Sequence, residues 1–123
     1  MRRISFTLTI EQVRNQTKWV TRRIGWANLK AGDRLQPIEK GMGLKKGESQ
    51  TLLGCPIEVV SNWPEPISAI TQSDVIAEGF PLWTTAEFIE FICSKNKCKP
   101  DTIANRIEFK YDSRSYLNIL STK

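Results

Sequence analysis

The sequence predicts an α+β fold in which a small curled sheet or barrel packs against short helices. Residues of alternating polarity form strand patterns near both ends of the chain, and capping-box patterns start helices in its second half. At 123 residues the chain is long enough to bury one core. We therefore expect a single domain over residues 1–112, followed by a polar tail over residues 113–123.

The first half of the chain is predicted to consist mainly of strands. Ile4, Phe6 and Leu8 alternate with polar residues, a pattern typical of a half-buried strand. Thr9 and Gln12 then form a capping-box pattern that opens a short helix. The elements predicted after the first strand are a helix at 10–16, strands at 20–24, 33–38 and 52–60, a turn at 26–31 and a glycine-broken basic loop at 41–48.

Helices are predicted to dominate the second half. Each begins after a threonine whose side chain can cap the helix, with an acidic residue three positions later. The two sets are Thr71 with Asp74 before residues 72–77, and Thr84 with Glu87 before a helix that runs through about Lys95. Alternation over residues 107–111 predicts a closing strand.

Composition restricts the classes of function. Lys and Arg outnumber Asp and Glu by 18 to 13, and the net charge of +5 favours an anionic partner such as nucleic acid. No window is apolar enough for a signal sequence or a membrane span, so we expect a cytoplasmic protein with no membrane partner. Cys55, Cys93 and Cys98 lack framework spacing and are expected to stay reduced. The absence of histidine excludes Ser-His-Asp triads, Cys-His pairs and zinc hydrolases.

The densest group of functional side chains is Lys18-Trp19-Val20-Thr21-Arg22-Arg23. Residues three apart face opposite sides of a strand, so Lys18 and Thr21 can share a site only if a turn or bulge intervenes. We predict that irregularity near Lys18 and Trp19. There, a partly desolvated Lys18 amine could take the proton of the Thr21 hydroxyl and make it a nucleophile. Alternatively, Lys18 is a solvated amine and Thr21 only a strand residue.

Cations and indoles near this group are candidates for nucleic-acid binding. Arg22 and Arg23 point to opposite faces of a strand, so we expect at most one of them to line a given pocket. A guanidinium there suits a phosphate or a carbonyl oxygen. Of the four tryptophans, Trp26 is the best placed to stack on a base. Lys45 and Lys46 could grip a nucleic-acid backbone, or their loop is simply solvated.

Two further features lie in the second half of the chain. Glu78, at the end of the helix over 72–77, could project into a cleft and carry a proton, or it is a surface glutamate. Cys93 and Cys98 could bring two thiols together at the end of the last helix. With no histidine and only Cys55 left over, a closed zinc site is not expected, and we predict neither a metal nor another cofactor.

The order and spacing of several short segments are distinctive. They are Lys18-x-x-Thr21-Arg22-Arg23, Gly25-Trp26, Leu29-x-x-Gly32-Asp33, residues 40–48, Ile70-Thr71, Glu78-Gly79-Phe80-Pro81 and Arg106-Ile107-Glu108-Phe109. Together they resemble an ASCH domain of the PUA-like superfamily, over a stretch from about Ile4 to Tyr111. This resemblance implies a small PUA-like β-barrel with short helices packed at its openings and a cleft beside the barrel.

The resemblance also implies a role in RNA metabolism, because PUA-like domains bind RNA or modified nucleobases. Some ASCH proteins are similar to a small amidohydrolase that removes the acyl group from N4-acetylcytidine. In that case Lys18, Thr21 and Glu78 match its catalytic lysine, threonine and glutamate. A ribonuclease is a third activity that the resemblance leaves open.

We favour a module that binds RNA or a modified nucleoside in a basic cleft. Single-stranded RNA is the expected polymer, because its bases can be splayed into a pocket while duplex bases cannot. The amidohydrolase is the alternative, and the oligomeric state is left open. The expected nucleic-acid contacts are Lys18, Arg22, Arg23, Trp26, Lys45 and Lys46.

Overall fold

A computed structural model describes residues 1–41 and 47–112 of the chain. Lys45 and Lys46, with the predicted tail over residues 113–123, lie outside the described residues. A 3-10 turn, Ile67–Ala69, precedes the second helix. The strands and helices are β1 (Arg2–Ser5), α1 (Ile10–Arg14), β2 (Val20–Arg23), β3 (Arg34–Ile38), β4 (Ile57–Pro66), α2 (Gln72–Ala77), α3 (Thr85–Asn96) and β5 (Ile103–Tyr111).

The five strands form one mixed sheet in the order β1-β3-β4-β5-β2. β1 and β3 are parallel, and the other three pairs are antiparallel. The predicted α+β class is confirmed, but the predicted closed β-barrel is wrong, because β1 and β2 remain the two edges of an open sheet. Between these edges Arg23 of β2 donates to the Ser5 carbonyl at 2.6 Å and lies over the Phe6 ring. A side chain therefore occupies the space in which backbone pairing would close a barrel.

Two apolar clusters flank the sheet. The larger one packs Phe6 against Phe109 and includes Val13 of α1, which holds that helix on the sheet. The smaller one joins α2 and α3 through Val75 and Phe88. Burying such side chains is the main stabilising term in a domain of this size.

The strands differ from their predicted bounds where tertiary pairing decides. Gly54, at φ +69°, and Pro56 break the predicted strand over 52–60, so that β4 begins only at Ile57. β4 then continues through Pro66 because its second half pairs with the beginning of β5. The register shifts between Val59 and Ser61, which is the signature of a β-bulge.

Local capping signals predict the helices well, with one exception. Thr84 and Glu87 form the complete capping box of α3, and Thr71 accepts a hydrogen bond from the Asp74 amide at the start of α2. Thr9 makes no side-chain capping bond, and α1 ends early, at Arg14. Within the described part of the chain, no helix is both long and apolar enough to cross a membrane.

Candidate functional site

The predicted irregularity before β2 is present and turns Lys18 into the protein. Lys18 and Trp19 lie outside regular structure between α1 and β2. The Tyr111 hydroxyl donates to the Lys18 carbonyl at 2.6 Å, and the Trp19 amide donates to the Ala77 carbonyl at 2.8 Å. These bonds tie the segment to β5 and to the end of α2, and the Lys18 side chain is only 4% exposed.

Glu78, directly after α2, meets this lysine in a buried ion pair. The Lys18 Nζ donates to Glu78 Oε1 at 2.6 Å and to the Glu78 carbonyl at 2.9 Å. Arg22 NH1 donates to the other carboxylate oxygen at 3.1 Å. Burial lowers the pKa of Lys18 below its ordinary value, although the neighbouring Glu78 carboxylate opposes that effect. The amine therefore loses its proton more readily than a solvated lysine does.

Arg22 is surrounded by carboxylates. Besides Glu78, its NH2 group donates to Asp74 at 2.6 Å and to Glu65 at 2.5 Å. Asp74 also accepts two hydrogen bonds from Arg106, at 2.7 and 2.9 Å. Burial disfavours the charge of Arg22, but the three carboxylates outweigh it and raise its pKa. The Arg22 side chain, 1% exposed, is thus committed to a buried network.

Arg23 has different surroundings. Its Nε donates to Thr21 Oγ1 at 3.1 Å and its NH2 group to the Ser5 carbonyl at 2.6 Å. Among residues 1–41 and 47–112, no carboxylate lies within ion-pair distance of Arg23. Burial lowers its pKa to about 10, although the nearby charge of Glu78 opposes that effect, so the group keeps its charge at neutral pH. Arg23 is therefore a cation held by neutral partners beside the Thr21 hydroxyl.

A cleft with a cavity volume of about 190 Å³ brings these groups together. Its floor is buried and polar, whereas its mouth is formed by exposed residues of the loop after β1 and of α3. Both Arg22 and Arg23 line the cleft, contrary to the prediction, and both belong to β2, which is an edge strand of the sheet. The lining residues are Ser5, Phe6, Thr7, Leu8, Thr9, Lys18, Thr21, Arg22, Arg23, Glu78, Phe80, Phe91, Ile92 and Asn96.

The tryptophans, including the predicted nucleic-acid contact Trp26, lie outside the cleft lining. Trp26 packs against the larger apolar cluster, and the Arg2 guanidinium covers its ring at 4.0 Å. Trp83 stacks on Phe80, and Trp63 donates to Glu65. None of the four tryptophans belongs to the described lining of the cleft.

Several residues that shape the cleft carry no functional signal in the sequence. Phe6 is predicted only as a strand residue and Phe91 lies within a predicted helix, yet both line the cleft beside its charged floor. Asp74 was recognised only by its place at a helix start, while its carboxylate binds two arginines. Their partners are 52 and 32 positions away, too far for any local pattern. In the described part of the chain, no group of three acidic, cysteine or histidine side chains is arranged to hold a metal ion.

Comparison with known proteins identifies the fold. No protein-family model and no curated protein matches the sequence. A crystal structure of a protein from Enterococcus faecalis V583, of the DUF984 family, matches 84% of this chain with a TM-score of 0.55 and 16% identity. A crystal structure of an ASCH domain from Lactobacillus crispatus JV V101 matches 89% of it with a TM-score of 0.53 and 11% identity.

These likenesses extend over most of the described sheet and helices. The chain spans 66% of the length of the Enterococcus protein, just under two thirds, and 79% of the Lactobacillus domain. At these identities the comparison establishes the fold. The chain has the fold of an ASCH domain, as its sequence predicts.

Proposed function

We propose that this chain, with its ASCH-domain fold, binds single-stranded RNA or a modified nucleoside by taking one base into the cleft. The carrying observation is that one cleft combines aromatic side chains with Arg23, which has no carboxylate within ion-pair distance in the described part of the chain. The cleft volume of about 190 Å³ is below that of pockets for drug-sized ligands and suits a group of about the size of a base. Such a site would recognise one nucleotide at a time.

Arg23 is the cation offered to the ligand. Lys18 and Arg22 face Glu78, and Arg22 also faces Asp74 and Glu65, so their charges are balanced within the protein. Among residues 1–41 and 47–112, the hydrogen-bond partners of the Arg23 guanidinium are the Thr21 hydroxyl and the Ser5 carbonyl. A carbonyl oxygen of a base, or a phosphate, would add the charge-assisted hydrogen bond that these neutral partners do not supply.

Three phenylalanines contribute apolar surface to the lining of the cleft. Phe6 and Phe80 line it together with Phe91, whose ring meets Phe80 edge-on at 5.8 Å. The Phe6 ring is buried beneath the Arg23 guanidinium and the Phe80 ring stacks on Trp83, so we expect apolar contact with a base from these two rings and assign base stacking to neither. Asn96 at the mouth adds an amide that can donate to and accept from a base edge.

Fluorescence anisotropy with labelled hexamers of each of the four ribonucleotides tests this proposal. Arg23→Gln is expected to weaken binding about tenfold or more, because one charge-assisted hydrogen bond is lost. Lys30→Gln removes the same charge from an exposed site outside the cleft lining and is expected to change affinity less than twofold. No measurable affinity for any hexamer, or equal effects of the two variants, would refute binding of RNA through the cleft.

A second candidate function, supported by the buried Lys18 amine, is hydrolysis of an acyl amide on a modified cytidine. Lys18 has a lowered pKa, and Thr21 lines the same cleft. The Arg23 guanidinium donates to Thr21 Oγ1, which would stabilise an alkoxide there. Lys18 would take the hydroxyl proton while the Thr21 oxygen attacks the acyl carbon.

The reaction would then proceed through an acyl-threonine ester. The C–N bond breaks, and the amine of the base leaves with a proton from the Lys18 ammonium. Water next hydrolyses the ester, which releases a carboxylic acid and restores Thr21. In the ion pair with Lys18, Glu78 would hold the amine in position and exchange its proton.

Incubation with N4-acetylcytidine, followed by chromatography for cytidine, tests the hydrolase. Thr21→Val keeps the β-branched shape and removes the nucleophile, so turnover should fall at least about a thousandfold if the proposal is right. Thr51→Val, at an exposed position outside the cleft lining, is the matched control and should retain turnover. Unchanged turnover in Thr21→Val, or none in the unsubstituted protein, would leave binding as the function of the cleft.

A further inference from the structure

The end of α3 has a geometry that brings two cysteines together. Lys97 adopts the left-handed conformation at φ +51°, and its amide donates to the Cys93 carbonyl. The next amide, that of Cys98, donates to the same carbonyl at 3.1 Å. A bond from the sixth residue back to the first, across a left-handed residue, is the mark of a Schellman motif.

In this motif the side chains of the first and sixth residues contact each other, usually as an apolar pair. Here both positions are cysteines, and each thiol is half-buried and therefore partly open to solvent. Burial and the neighbouring Cys98 thiol raise the pKa of Cys93. The proximity of the two thiols follows from the backbone geometry of the motif.

We propose that Cys93 and Cys98 form a reversible dithiol–disulfide pair that closes the end of α3. The oxidant is a low-molecular-weight disulfide such as oxidised glutathione. One thiolate attacks a sulfur of that disulfide and releases one small thiol, leaving a mixed disulfide on the protein. The second cysteine thiolate then attacks the protein-bound sulfur, forms the internal S–S bond and releases the second small thiol. Two cysteines are oxidised, and one small disulfide is reduced.

The position of the pair connects it with the cleft. Phe91, Ile92 and Asn96, which line the cleft, lie within the same final turns of α3 as Cys93. A covalent bond from Cys93 to Cys98 would fix the turn that follows Asn96. The thiol pair therefore stands where a redox change would stiffen one wall of the cleft, whatever ligand the cleft binds.

Mass spectrometry of the Cys55→Ser protein tests the proposal without interference from the third thiol. After incubation with oxidised glutathione at about pH 8, where thiolates are more abundant, both remaining thiols should be lost and the mass should fall by about 2 Da. Trypsin cleaves after Lys95 and Lys97, between the two cysteines, so the tryptic peptides that contain Cys93 and Cys98 should remain joined until a reductant is added.

Cys55→Ser combined with Cys98→Ser is the matched control. Its single thiol, on Cys93, should retain one glutathione as a mixed disulfide, because no second thiol is present to displace it. The proposal is overturned if the Cys55→Ser protein carries glutathione on both cysteines, keeps both thiols free, or forms disulfide-linked dimers. Far-ultraviolet circular dichroism confirms that each variant is folded before it is oxidised.

Discussion

At the scale of single residues, the floor of the cleft depends on one carboxylate with two cationic partners. Glu78 is 2% exposed and binds Lys18 and Arg22 at once. Removing one member of a buried ion pair leaves the other charge uncompensated, which costs more than the pair contributes. Glu78 is therefore a structural requirement of the site as well as a candidate for its chemistry.

Glu78→Gln keeps the shape of the side chain and removes its charge. We expect the free energy of unfolding, measured in urea, to fall by about 3–5 kcal/mol. The loss should be smaller at alkaline pH, because the lowered pKa of Lys18 lets that amine become neutral. Glu90→Gln on the exposed side of α3 is the control and should change stability by no more than about 0.5 kcal/mol. Equal effects of the two variants would contradict a buried pair.

The ionisation of Asp74 makes the stability of the buried network depend on pH in the acid range. Two hydrogen bonds from Arg106 and one from Arg22 lower the pKa of Asp74 from 3.8 to about 2. Because the folded value lies below the ordinary one, this contribution to stability is complete above the ordinary value and is lost as the pH falls towards 2.

Carbon-detected NMR titration of the Asp74 carboxyl group should find its midpoint near 2. Urea unfolding of the same protein should show stability falling over this acid range, and the fall should be shallower in Asp74→Asn. A midpoint at or above 3.8 would show that the two arginines do not stabilise the carboxylate.

At the scale of elements, the Lys18–Glu78 pair on the floor of the cleft is positioned where α1 packs against the end of α2. Gly79 follows α2 with φ +104°, and a Cβ atom there would lie 2.6 Å from Gln12 Cγ. Gln12 belongs to α1, and its carbonyl accepts the Lys18 amide at 3.3 Å. Close packing at Gly79 thus helps to set the position of Lys18 relative to Glu78.

Gly79→Ala is expected to destabilise the protein more than Gly32→Ala. Both glycines have positive φ, but a Cβ at Gly32 would meet nothing within 4 Å. The left-handed conformation costs about 1–2 kcal/mol in each variant, and the contact with Gln12 should add about 1–3 kcal/mol in Gly79→Ala. Equal losses in urea unfolding would mean that the Gln12 side chain moves aside freely.

Elements that depend on contacts between neighbouring residues are predictable from the sequence, whereas elements that depend on distant strands are not. The capping box of α3 was predictable because Thr84 and Glu87 are three positions apart and act on each other's backbone. The extension of β4 to Pro66 was not, because its hydrogen bonds go to a strand that begins at Ile103.

In the site, local spacing predicted the irregularity at Lys18. It could not predict that Asp74, 52 positions from Arg22, would neutralise that arginine. Long-range partners of this kind decide which of several neighbouring cations remains available. Only the assembled fold places Arg23 among neutral partners.

At the scale of the whole molecule, net charge overstates the charge available in the cleft. The chain carries +5 overall, yet Lys18 and Arg22 are balanced by buried carboxylates. The open sheet reinforces this arrangement, since Arg23 bridges its two edges and faces the cleft at the same time. Binding in the cleft should therefore involve few phosphates.

The salt dependence of RNA binding measures the number of phosphates that the protein neutralises. Each phosphate neutralised on a single strand contributes about −0.7 to the slope of log affinity against log salt. If Arg23 binds a phosphate, we expect a slope near that value in the unsubstituted protein and almost none in Arg23→Gln, whereas a contact with a base carbonyl predicts almost no slope in either protein. A steep slope that Arg23→Gln leaves unchanged would assign binding to exposed cations such as Arg3 and Lys30, because only a cation that contacts the strand alters the number of counterions released.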